Sequence, residues 1–291
     1  MLFNIILTLL LSINTGLAKT IRNLSYQPHE KENIGIKIAA KSGIAINGKS
    51  REMMFGKNEN EALPIASITK LMTALVFLDY NQGWDKEIEI IGSDYRIGGM
   101  LYVSPGEIVT VRDLFYTSLA GSANNATVAL ARSTGMTLEE FADKLNDKAK
   151  ELGMEKSFFV EPTGLSEKNV STAEEVARLA SVAFSKEEIR EALQKDEHIF
   201  YTVDKKRYHR IRNTDKLLDS FLNKDGFEVI GAKTGYTDEA RYCLAVGVES
   251  EAGDSVISVI LGANTPEERF QEAKSLAWWA LSQESNKTRK Q

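Results

Sequence analysis

The spacing of hydrophobic and polar residues first indicates strands. From Ile34 to Ile46 the chain mixes β-branched residues with small and polar ones, meets Asn47-Gly48, and continues from Lys49 to Phe55. Asn-Gly between two such runs is typical of a β-hairpin, because these residues accept the left-handed backbone of a tight turn. The pattern therefore predicts two antiparallel strands in this part of the chain.

The period then changes to that of helices. Leu71, Leu75 and Leu78 recur at three or four residues after Ser67, which predicts an amphipathic helix that starts at or near this serine. Later helix starts are marked by a threonine with an acidic residue three positions on: Thr110 with Asp113, Thr137 with Glu140, and Thr172 with Glu175. Such pairs cap the first turn, and Gly153 is placed to end the second of these helices. The middle of the chain is therefore predicted to be mostly helical.

The last third returns to strands and then to a helix. Tyr242–Glu249 and Ser255–Leu261 are apolar runs joined through Ala252-Gly253-Asp254, which predicts a second hairpin. Thr265-Pro266-Glu267-Glu268 combines an N-cap, a proline at the first helical position and a capping glutamate, and it opens a helix through Trp278-Trp279. Strands at both ends of the sequence predict an α+β domain whose antiparallel sheet is assembled from both chain ends.

Composition and charge exclude several classes of function. The chain has 291 residues, 43% hydrophobic and 26% charged, as in ordinary globular proteins. Its net charge of -5 leaves no broad basic surface, so we expect no nucleic-acid partner. The single Cys243 cannot form an intramolecular disulfide, and His29, His198 and His209 lie far apart in the sequence without paired ligand spacing. We therefore predict no metal and no other cofactor.

The first candidate motif is Ser67-Ile68-Thr69-Lys70. A helix places residues three apart on one face, so the Lys70 amine can reach the Ser67 hydroxyl. An ordinary lysine has a pKa of about 10.4 and is protonated at neutral pH, so the site must lower this pKa by burial or by another cation. No other serine in the chain is followed by lysine three positions later. The motif predicts a nucleophile and its base.

Two further motifs supply complementary groups. In Ser122-Ala123-Asn124, a hydroxyl suited to proton relay precedes an amide that can anchor a lysine or hold a substrate carbonyl. In Lys233-Thr234-Gly235, the cation attracts a carboxylate, and the glycine lets a peptide approach a sheet edge closely. Lys233 is also a candidate for the cation that lowers the pKa of Lys70. In this order, the three motifs form the signature set of penicillin-binding proteins and serine β-lactamases.

The residues around these motifs resemble the D-alanyl-D-alanine carboxypeptidase family of low-molecular-mass penicillin-binding proteins. The similarity covers roughly residues 30 to 280. It is carried by Pro64–Thr73, Ser104–Glu107, Pro162–Leu165 with Asn169, Ser171 and Thr172, Lys233–Thr237 and Ala240–Leu244. At Arg241 the family usually has glycine. The resemblance implies a penicillin-binding/β-lactamase-like transpeptidase domain, over residues 19–282, and a serine D-Ala-D-Ala carboxypeptidase activity. Its implied substrates are peptidoglycan stem peptides, and β-lactams are its implied inhibitors.

The resemblance also implies a role for each matching residue. Ser67 would be the nucleophile and Lys70 its general base, with Ser122 and Asn124 as proton relay and substrate clamp. Lys233, implied to be catalytic like these four, would face the substrate carboxylate together with Thr234. The other implied substrate-binding residues are Gly235 on the docking strand, Tyr236 as an oxyanion-hole donor with Ser67, and Arg212 and Arg269 near the carboxylate end.

Other functions share parts of this pattern. A β-lactamase needs a carboxylate that activates water, and Glu161 before Pro162 is a candidate, although Glu161–Leu165 fits the peptidase loop better. D,D-endopeptidase action on cross-linked muropeptides is a second alternative. A binding or scaffolding protein that has lost catalysis is a third. Trapping of a long-lived penicillin adduct on Ser67 separates the peptidase from the β-lactamase, and chromatography of digested muropeptides separates carboxypeptidase from endopeptidase action.

The beginning of the chain predicts export. Leu2–Leu11 is almost entirely apolar, and small residues follow at Gly16 and Ala18 with the spacing of a signal-peptidase site. The run is shorter than the about 20 apolar residues that span a bilayer. We expect residues 1–18 to be a signal peptide, with a retained anchor or a buried first strand as alternatives. Residues 283–291 form a polar tail, no C-terminal membrane anchor is apparent, and the expected location is the cell envelope, in the periplasm.

Overall fold

The computed structural model describes residues 35–288. The predicted signal peptide, residues 1–18, lies outside the described residues, as do His29 and the start of the first predicted strand at Ile34. Among residues 35–288, no helix combines the length and the apolar character that crossing a bilayer requires.

Strands towards both ends of the described chain enclose a mostly helical middle, as the sequence pattern predicts, with additional short strands in the middle. The strands are β1 Ser42–Asn47, β2 Met53–Lys57, β3 Leu63–Pro64, β4 Glu87–Glu89, β5 Ile108–Thr110, β6 Val170–Ser171, β7 Glu197–Tyr201, β8 Tyr208–Arg212, β9 Phe227–Thr237, β10 Arg241–Ser250 and β11 Ser255–Ala263. The helices are α1 Thr69–Asp79, α2 Val111–Leu119, α3 Asn124–Ser133, α4 Leu138–Glu151, α5 Ala173–Phe184, α6 Glu187–Gln194 and α7 Pro266–Thr288.

The main sheet joins the two ends of the described chain. Its strand order is β2-β1-β11-β10-β9, and every pairing is antiparallel. Ile44 of β1 lies opposite Val259 of β11, so the N-terminal hairpin is paired directly with the C-terminal one. β9 is an edge strand of this sheet. The predicted α+β class, with a sheet built from both ends, is confirmed.

The two faces of the sheet are buried against different helices, because successive side chains of a strand point to opposite faces. Ile44, Val259 and Leu261 belong to one core with the middle helices, including Phe77 and Phe115. The alternate positions, such as Leu244 and Ile260, are also buried, and α7 packs on β10 and β11. Burial on both faces makes the sheet a rigid support for the residues on its edge.

Local capping signals place the helix starts correctly. Thr110 accepts a hydrogen bond from the Asp113 amide, and Thr137 exchanges both capping bonds with Glu140. Thr172 accepts from the Glu175 amide. The Glu175 carboxylate does not accept a hydrogen bond from the Thr172 amide. It accepts from the Lys156 amide and the Ser157 hydroxyl instead.

The structure adds detail at the end of α7 and at the histidines. Helix α7 continues to Thr288, so most of the stretch described as a polar tail is helical. His198 and His209 lie on paired strands, with the Phe200 ring stacked between them at centroid distances of 5.6 and 5.1 Å. Strand pairing thus joins two histidines that are distant in sequence. Within the described residues, no three His, Cys, Asp or Glu side chains cluster as a metal site would require.

Candidate active site

Ser67 lies in a tight turn at the edge of the core. A 3-10 turn over Ala66–Ile68 precedes α1 directly, and Ala66 has a left-handed φ of +47°. Ile65 and Ile68 are fully buried, whereas Ser67 is partly exposed. The buried isoleucines anchor the turn, and the serine between them keeps its hydroxyl accessible.

The Lys70 amine occupies the first turn of α1, behind Ser67. Its Nζ lies 2.8 Å from Ser67 Oγ, 2.8 Å from Asn124 Oδ1 and 2.9 Å from the Thr163 carbonyl oxygen. The orientation of the Asn124 amide is fixed, because its Nδ2 donates to the Ile97 carbonyl at 2.7 Å. The carbonyl oxygens of Asn124 and Thr163 can only accept hydrogen bonds. A neutral amine therefore donates to both and directs its lone pair at the Ser67 hydroxyl.

Burial favours this neutral amine. It lowers the pKa of Lys70 to about 7, and the Glu161 carboxylate acts in the opposite direction. Burial also lowers the pKa of Lys233 well below its ordinary value, followed by repulsion from Lys70 and Arg269. The sequence suggested Lys233 as the cause for Lys70. Burial is instead the main cause, because removing an ammonium group from water disfavours its charged form.

Ser122 joins the second motif to the third. Lys233 Nζ donates to Ser122 Oγ at 2.8 Å and to the Thr234 carbonyl at 3.2 Å. Ser122 has a left-handed φ of +55°, which is a strained conformation for serine. Because Ser122 Oγ accepts from the Lys233 amine, its own proton is free for another acceptor in the cleft.

Two glycines bring backbone segments against the Ser67 turn. A Cβ on Gly235 of β9 would lie 2.9 Å from the Ile65 carbonyl oxygen and 3.2 Å from the Ser67 amide nitrogen. A Cβ on Gly164 would lie only 1.9 Å from the Ala66 carbonyl oxygen. Glycine is therefore required at both positions. The first brings the edge strand β9 beside the Ser67 amide.

Glu161 organises the loop that presents the Thr163 carbonyl. Its carboxylate accepts from the amides of Thr163 at 2.7 Å and Gly164 at 2.6 Å, and from the Thr163 hydroxyl at 2.6 Å. Asn169 ties the loop further by donating to the Glu161 carbonyl at 2.8 Å. The sequence presented Glu161 only as a possible catalytic carboxylate, and no local pattern indicated that it holds its own loop together.

The predicted carboxylate-binding residues are placed differently from one another. Arg269 donates to the Gly235 carbonyl at 3.1 Å, so α7 reaches the third motif. Arg212 is exposed on β8. Within residues 35–288 it forms no hydrogen bond or ion pair with the residues of the three motifs. Thr234 donates to the Thr214 hydroxyl at 2.8 Å.

Asp215, next to Thr214, was not predicted. It is 6% exposed, and its Oδ2 lacks a hydrogen-bond partner among the described residues. Burial raises its pKa to about 6, while Lys233 and Arg269 act in the opposite direction. Its sequence context, Asn213-Thr214-Asp215, looks like an ordinary polar turn, so the sequence carried no signal for this buried acid.

The sequence of this chain is similar to those of known proteins. A family model described as D-alanyl-D-alanine carboxypeptidase matches residues 27–265. The D-alanyl-D-alanine carboxypeptidase DacF of Bacillus subtilis is 33% identical over 251 residues, which cover 84% of this chain and 62% of DacF. A D-alanyl-D-alanine endopeptidase of Pseudomonas aeruginosa is 30% identical over 284 residues, 94% of this chain and 86% of that protein.

A solved structure shows the same fold. The Streptomyces K15 DD-transpeptidase superposes with a TM-score of 0.79 at 27% identity, over 85% of this chain and 98% of that one. The family match spans all three motifs and the Glu161 loop. With the convergence of Lys70, Asn124 and Lys233 around Ser67, it shows that the chain belongs to the D-alanyl-D-alanine carboxypeptidase family.

Proposed function

We propose that this chain is a serine-type D-Ala-D-Ala carboxypeptidase that acts on peptidoglycan stem peptides through an acyl-enzyme on Ser67. The observation that carries the proposal is the buried Lys70 amine, 2.8 Å from Ser67 Oγ, whose two other neighbours only accept hydrogen bonds. This arrangement supplies a base for the serine without histidine.

Acylation starts with proton transfer inside this pair. As Ser67 Oγ attacks the carbonyl of the first D-alanine, its proton passes to the neutral Lys70 amine. The oxyanion would be held by the amides of Ser67 and Tyr236, where loss of one donor typically costs about 2.7 to 4 kcal/mol. The C–N bond then breaks, and the departing D-alanine amine takes up a proton through the Ser122 hydroxyl. Water later cleaves the ester and restores Ser67.

The third motif supplies recognition of the substrate carboxylate. Lys233 and Thr234 lie on the edge strand, beside Ser122, and the Arg269 guanidinium is held at the Gly235 carbonyl. An extended peptide on this edge would place its terminal carboxylate near the Lys233 amine, the Thr234 hydroxyl and the Arg269 guanidinium. A structure with a bound substrate tests whether Arg212 also reaches this carboxylate.

Labelling with a fluorescent penicillin tests the proposal. The β-lactam imitates the dipeptide but keeps its leaving group attached, so we expect a long-lived adduct. Peptide mapping should place the adduct on Ser67 rather than on Ser122, the other serine of the site. Ser67→Ala should abolish labelling, whereas Ser50→Ala in the exposed first turn should not. An adduct on another residue, or unchanged labelling of Ser67→Ala, would overturn the assignment.

Endopeptidase action is a second candidate for the same site, because relatives of comparable similarity carry that name. The chain spans 62% of the length of DacF but 86% of the Pseudomonas aeruginosa endopeptidase. Chromatography of muropeptides after digestion separates the two activities. Loss of D-alanine from monomeric pentapeptides supports the carboxypeptidase, and conversion of cross-linked dimers to monomers supports the endopeptidase.

The β-lactamase alternative has weaker support. Fast deacylation needs a carboxylate that activates water. The Glu161 carboxylate already accepts hydrogen bonds from Thr163 and Gly164 inside its loop. Rapid turnover of penicillin, instead of a stable adduct, would support the β-lactamase and contradict our proposal.

Export to the bacterial cell envelope, into the periplasm, is part of the proposed function. The substrate lies outside the cytoplasmic membrane, and the apolar Leu2–Leu11 run fits a signal peptide. Cell fractionation with N-terminal sequencing of the mature protein tests both points. Recovery of the full-length protein from the cytoplasm would contradict them.

A further inference from the structure

Arg241 adopts a backbone conformation that arginine rarely takes. Its φ is +57°, in the left-handed region that favours glycine. A strained non-glycine residue of this kind occurs preferentially at functional sites. The side chain of Arg241 is therefore a candidate for a function.

The Arg241 guanidinium is exposed and unpaired. Within residues 35–288 it forms no ion pair or hydrogen bond, and the nearby acids are Asp238, which accepts from the Tyr236 hydroxyl at 2.7 Å, and the exposed Glu239. The hydrogen bond to Asp238 raises the pKa of the Tyr236 hydroxyl, and the Arg241 cation acts in the opposite direction. A free cation thus lies close to the strand that carries the third motif.

The proposed site fixes the direction of a bound peptide along β9. The terminal carboxylate lies at Lys233 and Thr234, and the scissile carbonyl lies at the Tyr236 amide. The residues that precede the D-Ala-D-Ala pair must then continue toward Thr237. Thr237 is about 7 Å beyond Gly235 along the strand.

The sheet register brings Arg241 to this end of the peptide. Arg241 of β10 lies directly opposite Thr237 of β9, just as Ala245 lies opposite Lys233. Lys233, Gly235 and Thr237 are alternate residues and share one strand face. An arginine side chain next to Thr237 is long enough to reach a side chain of the bound peptide there.

We propose that Arg241 selects stem peptides in which the residue before D-Ala-D-Ala carries a free side-chain carboxylate. The inference rests on the proposed function and names its substrate class. A guanidinium binds a carboxylate through two parallel charge-assisted hydrogen bonds, whereas a carboxamide offers neither the charge nor the second acceptor. Glycine at this position would leave the two substrates undistinguished.

Two synthetic peptides test the inference. They end in D-Ala-D-Ala and differ only in a carboxylate or a carboxamide on the preceding side chain, and the measurement is kcat/KM for release of D-alanine. We expect the wild type to prefer the carboxylate by about three- to tenfold at low salt, and less at high salt, as for a partly exposed ion pair. Arg241→Gly and Arg241→Gln should bring the ratio to about one, and Arg241→Lys should keep part of it.

Arg51 provides a matched control. It is also an exposed arginine with a left-handed φ, +62°, but it lies in the turn before β2, at the opposite edge of the sheet. Arg51→Gly should leave the ratio unchanged. Equal rates for both peptides in the wild type, or a preference that survives in Arg241→Gly, would overturn the inference alone. Release of D-alanine from neither peptide, with no penicillin adduct on Ser67, would overturn the proposed function as well.

Discussion

At the scale of single residues, the proposed mechanism requires a neutral Lys70 amine beside Ser67. A protonated Lys70 has three N–H groups. Two of them donate hydrogen bonds to Asn124 Oδ1 and the Thr163 carbonyl, so the third would have to donate to the Ser67 hydroxyl. Only the neutral amine has a lone pair for the serine proton. Burial therefore serves reactivity here, although it costs stability.

Lys70→Arg separates charge from basicity at this position. A guanidinium keeps hydrogen-bond donors at the site but does not lose its proton at accessible pH, so it cannot act as a base. We expect penicillin acylation of Ser67 to slow by about 100-fold or more. The measurement is the rate of adduct formation, with circular dichroism to verify folding. A folded Lys70→Arg protein that acylates at the normal rate would contradict the role of Lys70.

Asp215 should give stability a distinct pH dependence. Its folded-state pKa of about 6 lies above its ordinary value of 3.8, so the folded protein holds the proton more tightly than the unfolded chain. The resulting stabilisation is fully present below about pH 4 and is lost as the pH rises through about 6. Asp215→Asn keeps the acceptor for the Leu217 amide and removes the buried charge.

We expect Asp215→Asn to raise the free energy of unfolding by about 1 to 3 kcal/mol at pH 8, with no gain at pH 4. Denaturant unfolding at both pH values provides the measurement. A loss of stability at pH 8 would show that attraction to Lys233 and Arg269 outweighs the cost of burial.

At the scale of elements, the Ser67 turn is held between the Glu161 loop and strand β9. Gly164 and Gly235 allow both segments to approach the turn more closely than any side chain would permit. The position of Ser67 thus depends on packing of backbone against backbone.

Gly164→Ala should disrupt this packing. Its Cβ would lie 1.9 Å from the Ala66 carbonyl oxygen, and the φ of Gly164 is +83°. We expect the free energy of unfolding to fall by several kcal/mol, as for a severe core defect, and penicillin labelling of Ser67 to be lost. Gly106→Ala is the matched control, since Gly106 has φ +84° but open space around it. Gly106→Ala should lower the free energy of unfolding by only about 1 to 2 kcal/mol, and penicillin should still label Ser67. Equal effects of the two substitutions would contradict the role of close approach.

Several elements could be predicted from local sequence signals, whereas contacts between residues distant in sequence could not. Thr137 and Glu140 cap a helix with atoms three residues apart, so the sequence contains the whole motif. Glu175 has the same spacing from Thr172, but its carboxylate bonds to a loop that only the fold brings near. The internal bonds of Glu161 and the burial of Asp215 depend in the same way on tertiary structure.

At the scale of the whole molecule, the sheet makes distant parts of the chain depend on one another. The N-terminal hairpin pairs with β11, and β11 supports β10 and the edge strand β9. The three motifs resemble those of a known family in order and spacing, and this resemblance predicted that they lie together in the folded protein. The physical causes, namely burial of Lys70 and support of β9 by the sheet, became visible only in the folded arrangement.

Ile44→Ala tests this dependence. Ile44 is fully buried in β1, opposite Val259. Its truncation should cost about 2 to 5 kcal/mol, and helical signal and penicillin labelling should be lost together at one lower temperature. Met53→Ala in β2, where the side chain is 54% exposed, should change stability by only about 0.5 kcal/mol. Loss of labelling well below the temperature at which helical signal is lost would contradict a single cooperative unit.

The pH dependence of Ser67 acylation tests the neutral amine most directly. The second-order rate constant for penicillin labelling should rise about tenfold per pH unit up to about pH 7, where half of Lys70 is neutral, and then level off. Asp215→Asn should keep the rise, which separates the titration of Lys70 from that of Asp215, a buried acid close to the site. A rate that is independent of pH from 5 to 9, or one that rises only near pH 10, would contradict a neutral Lys70 as the base.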